Sequence, residues 1–222
     1  MITYLQAVNR VLQKLRQNQV SSLSGADSYT SLIAALVNEA KEEVEQAWDW
    51  NCLNQTITIS TIAGTSSYSL TGSGDNFELY DAWDITHGWR LQGPYTGFQE
   101  NTNIIATTST TNLPIEFAFT GQDTNGDAVI TLNPTPSASN VEFKFWLYIR
   151  QSYLNTATDS STNILVPWKP VVYCAYAKAI AERGEDGGVL SGRADAEYAR
   201  ALSDAIAIDS ARGHQSTDWV AR

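Results

Sequence analysis

The chain is poor in the residues that most site chemistry requires. It holds two cysteines, Cys52 and Cys174, and two histidines, His87 and His214, in 222 residues. Neither cysteine belongs to a CxxC pair, and a four-ligand zinc site would need all four of these distant residues to converge. Neither a metal nor a cofactor is therefore expected, and both cysteines, set in apolar helical stretches, read as buried free thiols. Positive charge is scarce: 14 Lys and Arg stand against 24 Asp and Glu, a formal net charge of −10. Such a surface repels a phosphate backbone, which argues against tight nucleic-acid binding; the charge serves to keep the chain soluble or to keep a passing DNA from sticking to a channel wall. No run of about 18 apolar residues is present, so nothing is expected to span a membrane. The opening Met1-Ile2-Thr3-Tyr4 lacks the basic region and apolar run of a secretory signal, so synthesis and folding in a cytoplasm are expected. GxSxG, HExxH, Walker and kinase motifs are all missing.

What is present is a globular composition, 43% hydrophobic and 17% charged, long enough for one large domain or two small ones. From Thr3 to Asn18, Leu5, Val8, Leu12 and Leu15 recur at helical spacing with Thr3 as N-cap. Asp27 or Ser28 caps a longer helix to about Trp48. Its apolar stripe is Ile33, Leu36, Val37, Ala40, Val44 and Trp48, and its wet face carries Glu39, Lys41, Glu42, Glu43 and Glu45. Core packing accounts for Trp48 and Trp50. After Asn51 the hydrophobic period changes from about 3.6 to 2, the mark of a switch from helix to strand.

Strands are predicted over Thr56–Ser60, Tyr68–Leu70, Phe77–Ile85, Ile115–Phe119, Ala128–Leu132 and Val141–Ile149, with short strands and loops over 88–114. Asp123–Asp127 closes one hairpin, and Asn133-Pro134-Thr135-Pro136-Ser137 is expected to close the next. Val141, Phe143, Phe145, Leu147 and Ile149 should face a core, leaving Trp146 and Tyr148 half exposed or against a neighbouring subunit. After a loose polar stretch to Asn163, helix resumes at Pro167 or Pro170 with Val172, Tyr176, Ala179 and Ile180 on one stripe. Gly184–Gly188 ends it. A last helix, Ser191 to Arg212, places Ala194, Tyr198, Ala201, Leu202, Ala205 and Ile208 on its apolar side, and residues 213–222 form a tail. The fold class is α+β: an antiparallel bundle of N- and C-terminal helices, residues 1–54 and 155–222, with an inserted antiparallel sandwich or barrel-like domain, residues 55–154.

Candidate chemistry is thin. Asp123-Thr124-Asn125-Gly126-Asp127 opens like a calcium loop, but the required glycine falls at Ala128 and the bidentate glutamate at Pro134, so a tight turn is the better reading. Gly72-Ser73-Gly74 has no following helix start and reads as a turn rather than a nucleotide loop. Asp81 and Asp84 form the one carboxylate pair worth weighing for a glycosidase-like role. Trp219, a large aromatic in a polar tail, suits a pocket on a partner.

Ala7-Val8-Asn9-Arg10-Val11-Leu12, Val20-Ser21-Ser22-Leu23, Asn38-Glu39-Ala40, Glu43-Val44 and Trp48-Asp49-Trp50-Asn51 resemble the start of head-to-tail adaptor proteins of tailed phages, called tail tubular protein A in short-tailed phages. Thr56–Ile59, Ala63–Tyr68 and Leu132–Pro136 continue the resemblance, which covers nearly the whole chain. It implies a non-enzymatic virion protein of the tail or neck, assembled in the host cytoplasm. It further implies a ring, commonly of twelve copies, that links the portal protein to a tail or nozzle protein and retains and releases the genome. The free subunit can be monomeric. DNA passes through the channel without specific binding, and no membrane is involved. The tail would dock on the portal, through His214, Gln215, Asp218, Trp219, Val220 and Arg222. Two other readings are set beside it: a receptor- or glycan-binding tail module using Trp83, Trp89 and Tyr95, and an enzyme using Asp81 and Asp84.

Overall fold

The computed structural model describes residues 1–94, 113–182 and 189–212. The expectations for Tyr95 and the rest of 95–112, for the Gly184–Gly188 turn and for the tail beyond Arg212 lie outside them. The class is α+β, with four helices and two antiparallel sheets among the described residues. The chain divides into a helical unit, Met1–Leu53 with Gln151–Arg222, and a β unit, Asn54–Arg150.

In the helical unit, α1 (Tyr4–Lys14) opens with a capping box: Thr3 Oγ1 accepts from Gln6 N at 3.2 Å and Gln6 Oε1 accepts from Thr3 N at 3.1 Å. It stops before the expected Asn18 because Arg16 turns left-handed (φ 58°), and Gln17 N reaches back to Leu12 O at 2.9 Å. The N-terminal strand-like residues are pinned to the segment before Trp168: Tyr4 N donates to Thr162 O and Ile164 N to Ile2 O.

Helix α2 (Ser28–Gln46) buries the expected Ile33, Val37, Ala40 and Val44, but also Asn38, Lys41 and Glu45. Lys41 and Glu45, expected on the wet face, are fully buried, because the returning chain at Gln151–Leu154 covers a second side of this helix. Lys41 Nζ donates to Gln151 O and Ser152 O and sits 3.5 Å from Glu45 Oε1. One turn earlier, the Asn38 amide donates to Tyr4 Oη and Leu154 O and accepts from Leu154 N. Each polar side chain thus replaces solvent for a chain segment arriving from more than 100 residues away. Trp50 is buried and donates to Val44 O at 2.6 Å, whereas Trp48, expected in the core, is exposed past the helix end.

Helix α3 (Trp168–Glu182) is packed by α1, α2 and α4 (Val189–Arg212), and buries Val171, Val172, Cys174, Ala175, Ala179 and Ile180. Helix α4 turns Ala194, Ala201, Ala205 and Asp209 inward; alanines let its backbone approach closely. Ile208, expected on that apolar side, is 60% exposed. The place it would have filled belongs to Asp209 one residue on, whose Oδ2 accepts from Asn51 N at 3.0 Å and Asn51 Nδ2 at 3.2 Å.

In the β unit, β1 (Asn54–Ser60), β7 (Glu142–Ile149), β3 (Phe77–Asp84) and β4 (Trp89–Arg90) form one sheet in that order; β2 (Ser67–Ser69), β6 (Ala128–Asn133) and β5 (Glu116–Gln122) form the other. Their inner faces share one core, centred on Leu70, Phe117, Ile130, Leu132, Phe143, Phe145 and Leu147. Along one side the layers are joined by Gln92, which bonds Ile115 and Phe117.

The β5–β6 hairpin forms as expected. The expected β6–β7 hairpin does not: β6 lies between β2 and β5, and β7 between β1 and β3, in the opposite layer. Pro134 and Pro136 have no N–H to extend a ladder. The connection is bonded instead to the chain leaving β1, through Gly64 N to Pro136 O, Thr61 Oγ1 to Ala138 O and Asn140 N to Thr61 O. A β-bulge at Tyr80 shifts the alternation of β3 by one place, so Leu79 and Ala82 both face inward while Tyr80 and Asp81 both face out.

Candidate functional site

Helix α3 begins with Trp168-Lys169-Pro170 directly after Leu165-Val166-Pro167, a chain entry that exposes apolar surface beside the last turns of α4. Between them lies a groove of about 780 Å³, lined by Val166, Pro167, Trp168, Ala205 and Ile208, with Met1, Cys52 and Arg212 at its margins. Met1 is 84% exposed there and Ile208 stands open. Cys52, expected to be buried, is an exposed free thiol on this groove, because the turn at Asn51–Leu53 holds Leu53 and not Cys52 inside.

On the other side of Trp168 is a second groove, of about 460 Å³, lined by Arg10, Gln13, Lys14, Lys169, Val172 and Tyr173. The Arg10 guanidinium lies 3.9 Å from the centre of the Trp168 ring, and Lys14 Nζ lies 3.9 Å from Tyr173 and 5.2 Å from Tyr176. Each cation is held on an aromatic face. In a chain of net charge −10 this concentrates positive charge on one face of the helical unit. Sequence reading missed it, since α1 and α3 are separated by more than 150 residues and neither alone is notably basic.

At the exposed rim of the bundle Glu43 accepts from Lys178 Nζ at 3.1 Å, Tyr198 Oη at 3.2 Å and Cys174 Sγ at 3.5 Å. Desolvation pushes the Glu43 carboxyl up, but these donors outweigh it and hold the group below its ordinary range. Burial first, and then the Glu43 charge, push the Cys174 thiol up to about 12. A thiol so placed stays protonated and is no nucleophile; the cluster ties α2, α3 and α4 together.

In the β unit, Asp81 and Asp84 do not converge. Asp81, on the outer face, accepts from Ala82 N, Trp83 Nε1 at 2.7 Å and Arg90 Nε at 2.6 Å; desolvation is outweighed by these bonds and the carboxyl sits below its usual range. Asp84, on the inner face and fully buried, accepts from His87 N at 2.9 Å and lies 2.7 Å from His87 Nδ1, shaping the turn into β4. Both carboxylates are spent on local structure, which removes the geometric basis of a glycosidase pair. Asp123 Oδ1 accepts from Asn125 N and Asp127 N, and Asp127 Oδ1 from Gly74 N, so the calcium-like loop is closed as a hairpin turn by its own oxygens. Ser73, in the glycine-flanked turn, is buried and accepts from Ala128 N. The outer face of the β1-β7-β3-β4 sheet gathers Tyr80, Trp83, Trp146 and Tyr148, with Tyr80 and Tyr148 edge to face at 6.1 Å. Trp89 does not join it: it is partly buried and stacks on His87 at 5.0 Å.

His214, Gln215, Asp218, Trp219, Val220 and Arg222 lie outside the described residues, and Arg212, the last described residue before them, borders the first groove. No helix among the described residues is long and apolar enough to cross a membrane. No curated protein matches the chain. The family model of the SU10 adaptor protein matches residues 2–221, nearly the whole length, so helices and β unit are matched together. The chain belongs to the SU10 adaptor protein family and is a phage head-to-tail adaptor, a structural component of the virion.

Proposed function

We propose that the protein links the portal to the tail as a ring around the DNA channel, retaining the genome and letting it pass at ejection. The match across residues 2–221 carries this reading. The helical unit faces the portal and makes the side-by-side contacts of a closed ring, in which two different faces of each subunit must meet. The cationic groove of Arg10, Lys14 and Lys169 and the many exposed carboxylates of this acidic chain are suited to such unlike faces. The β unit faces the tail or nozzle protein. The tail of residues 213–222, with Trp219 as its anchor, docks on the portal, and the ring has twelve copies, assembled on the portal in the host cytoplasm. The protein catalyses no reaction.

Negative-stain microscopy of the purified protein with and without isolated portal rings tests this: added density of ring symmetry is expected only with the portal. Deleting residues 213–222 should abolish that complex while leaving a folded protein; full binding by the truncated protein would reject the docking role. A second reading, a glycan- or receptor-binding module, draws on the aromatic face of exposed Tyr80 and Trp83 and half-buried Trp146 and Tyr148; saturable glycan-array binding by the full chain, lost on Trp83→Ala, would favour it.

A further inference from the structure

The groove between the start of α3 and the end of α4 is open on its apolar side among the described residues, and it lies where the chain continues toward an unusually apolar tail residue. We propose that in the free subunit this groove holds the chain's own residues 213–222, with the Trp219 indole seated against Val166, Pro167, Ala205 and Ile208.

Four observations carry this. The groove, at about 780 Å³, falls within the roughly 300–1,000 Å³ of sites that enclose a ligand larger than one side chain. Its apolar wall includes Ile208, a large aliphatic residue that α4 turns away from the bundle although its neighbours Ala205 and Asp209 are buried. Arg212 is both the last described residue and a margin of the groove, so the tail starts at the lip. Gly213 follows it in the sequence, the residue type that lets a chain reverse at a helix C-terminus.

Reach is sufficient. The α4 wall from Ala201 to Arg212 is about 16 Å long at a rise of roughly 1.5 Å per residue. Seven residues from Gly213 to Trp219 span up to about 23 Å. A tethered segment faces its site at an effective concentration on the order of millimolar, well above that of a second copy in dilute solution, which favours the chain's own tail over a neighbour's. Docking on a portal would then exchange one apolar seat for another.

Cys52 supplies the test, since it is an exposed thiol on the groove while Cys174 is buried. The full chain carrying Val220→Cys, treated at low concentration with a short bis-maleimide, should form a monomeric cross-link that Cys52→Ser abolishes. Ile208→Asp, at an exposed position where folding is not at risk, and Trp219→Ala should each slow that cross-link by about tenfold. An equal rate in both variants, no monomeric product, or only dimeric product would overturn the proposal. Because no portal is present, failure here leaves the portal reading standing, and loss of portal binding by the truncated chain says nothing of the groove.

Discussion

Replacing Lys41 by alanine separates what helical spacing implies from what packing does. On spacing alone the residue is one of a run of solvated charges on α2, and its removal would cost a few tenths of a kcal/mol. In the structure its ammonium is fully buried, donates to Gln151 O and Ser152 O, and is the counter-charge of buried Glu45, 3.5 Å away. Removing one partner of a buried pair costs about 3–5 kcal/mol; the two carbonyls, partly exposed, can recover water, so the sum is set at about 4 kcal/mol rather than higher. For a chain of this size that is a fall of about 10 °C in the melting temperature of the helical unit, read by circular dichroism at 222 nm and by urea titration. The double variant Lys41→Met with Glu45→Leu leaves no charge behind and should recover at least half of the loss. A single variant within about 1 kcal/mol of the parent, or a double variant no better than the single, would refute the reasoning.

Two further predictions concern Glu45 and Gly93. Burial pushes the Glu45 carboxyl up to about 7, against the opposing pull of Lys41. The native state therefore holds a proton that the unfolded chain releases near 4.5, and the wild type should lose up to about 3 kcal/mol relative to Glu45→Gln as pH rises from about 4.5 to 7; a difference that stays flat in urea titrations across that window would contradict the burial argument. Gly93 has φ 132°, and a Cβ there would run into Phe117 O. Gly93→Ala should destabilise the β unit by about 3 kcal/mol, seen as a lower urea midpoint by tryptophan fluorescence, and a midpoint unchanged from wild type would show that the junction between β4 and β5 yields freely.

The cationic groove and the apolar groove share Trp168 but differ in chemistry, and no single element predicts either. A pair of basic residues four apart on α1 becomes a site only because α3 lays Trp168, Tyr173 and Tyr176 beneath Arg10 and Lys14. The candidate residues of the tail were visible in sequence through Trp219 alone, an indole out of keeping with its polar neighbours. Asp81 and Asp84 show the opposite case: a carboxylate pair in sequence whose odd spacing, along a stretch of β3 that pairs regularly with β7, puts the two on opposite faces of one strand.

Local pattern determined the α+β class, the Thr3 cap, the switch of period after Asn51 and the inward face of β7, because each depends on spacing within a few residues. Tertiary structure alone decided which layer β6 and β7 joined, since alternation tells a strand which side to bury but not which neighbour to pair with. It alone buried Lys41 and Glu45 and turned Ile208 out to water, because burial is set by every segment that arrives at a helix. The covering residues Gln151–Leu154 and the competing bond from Asn51 to Asp209 come from more than 100 residues away.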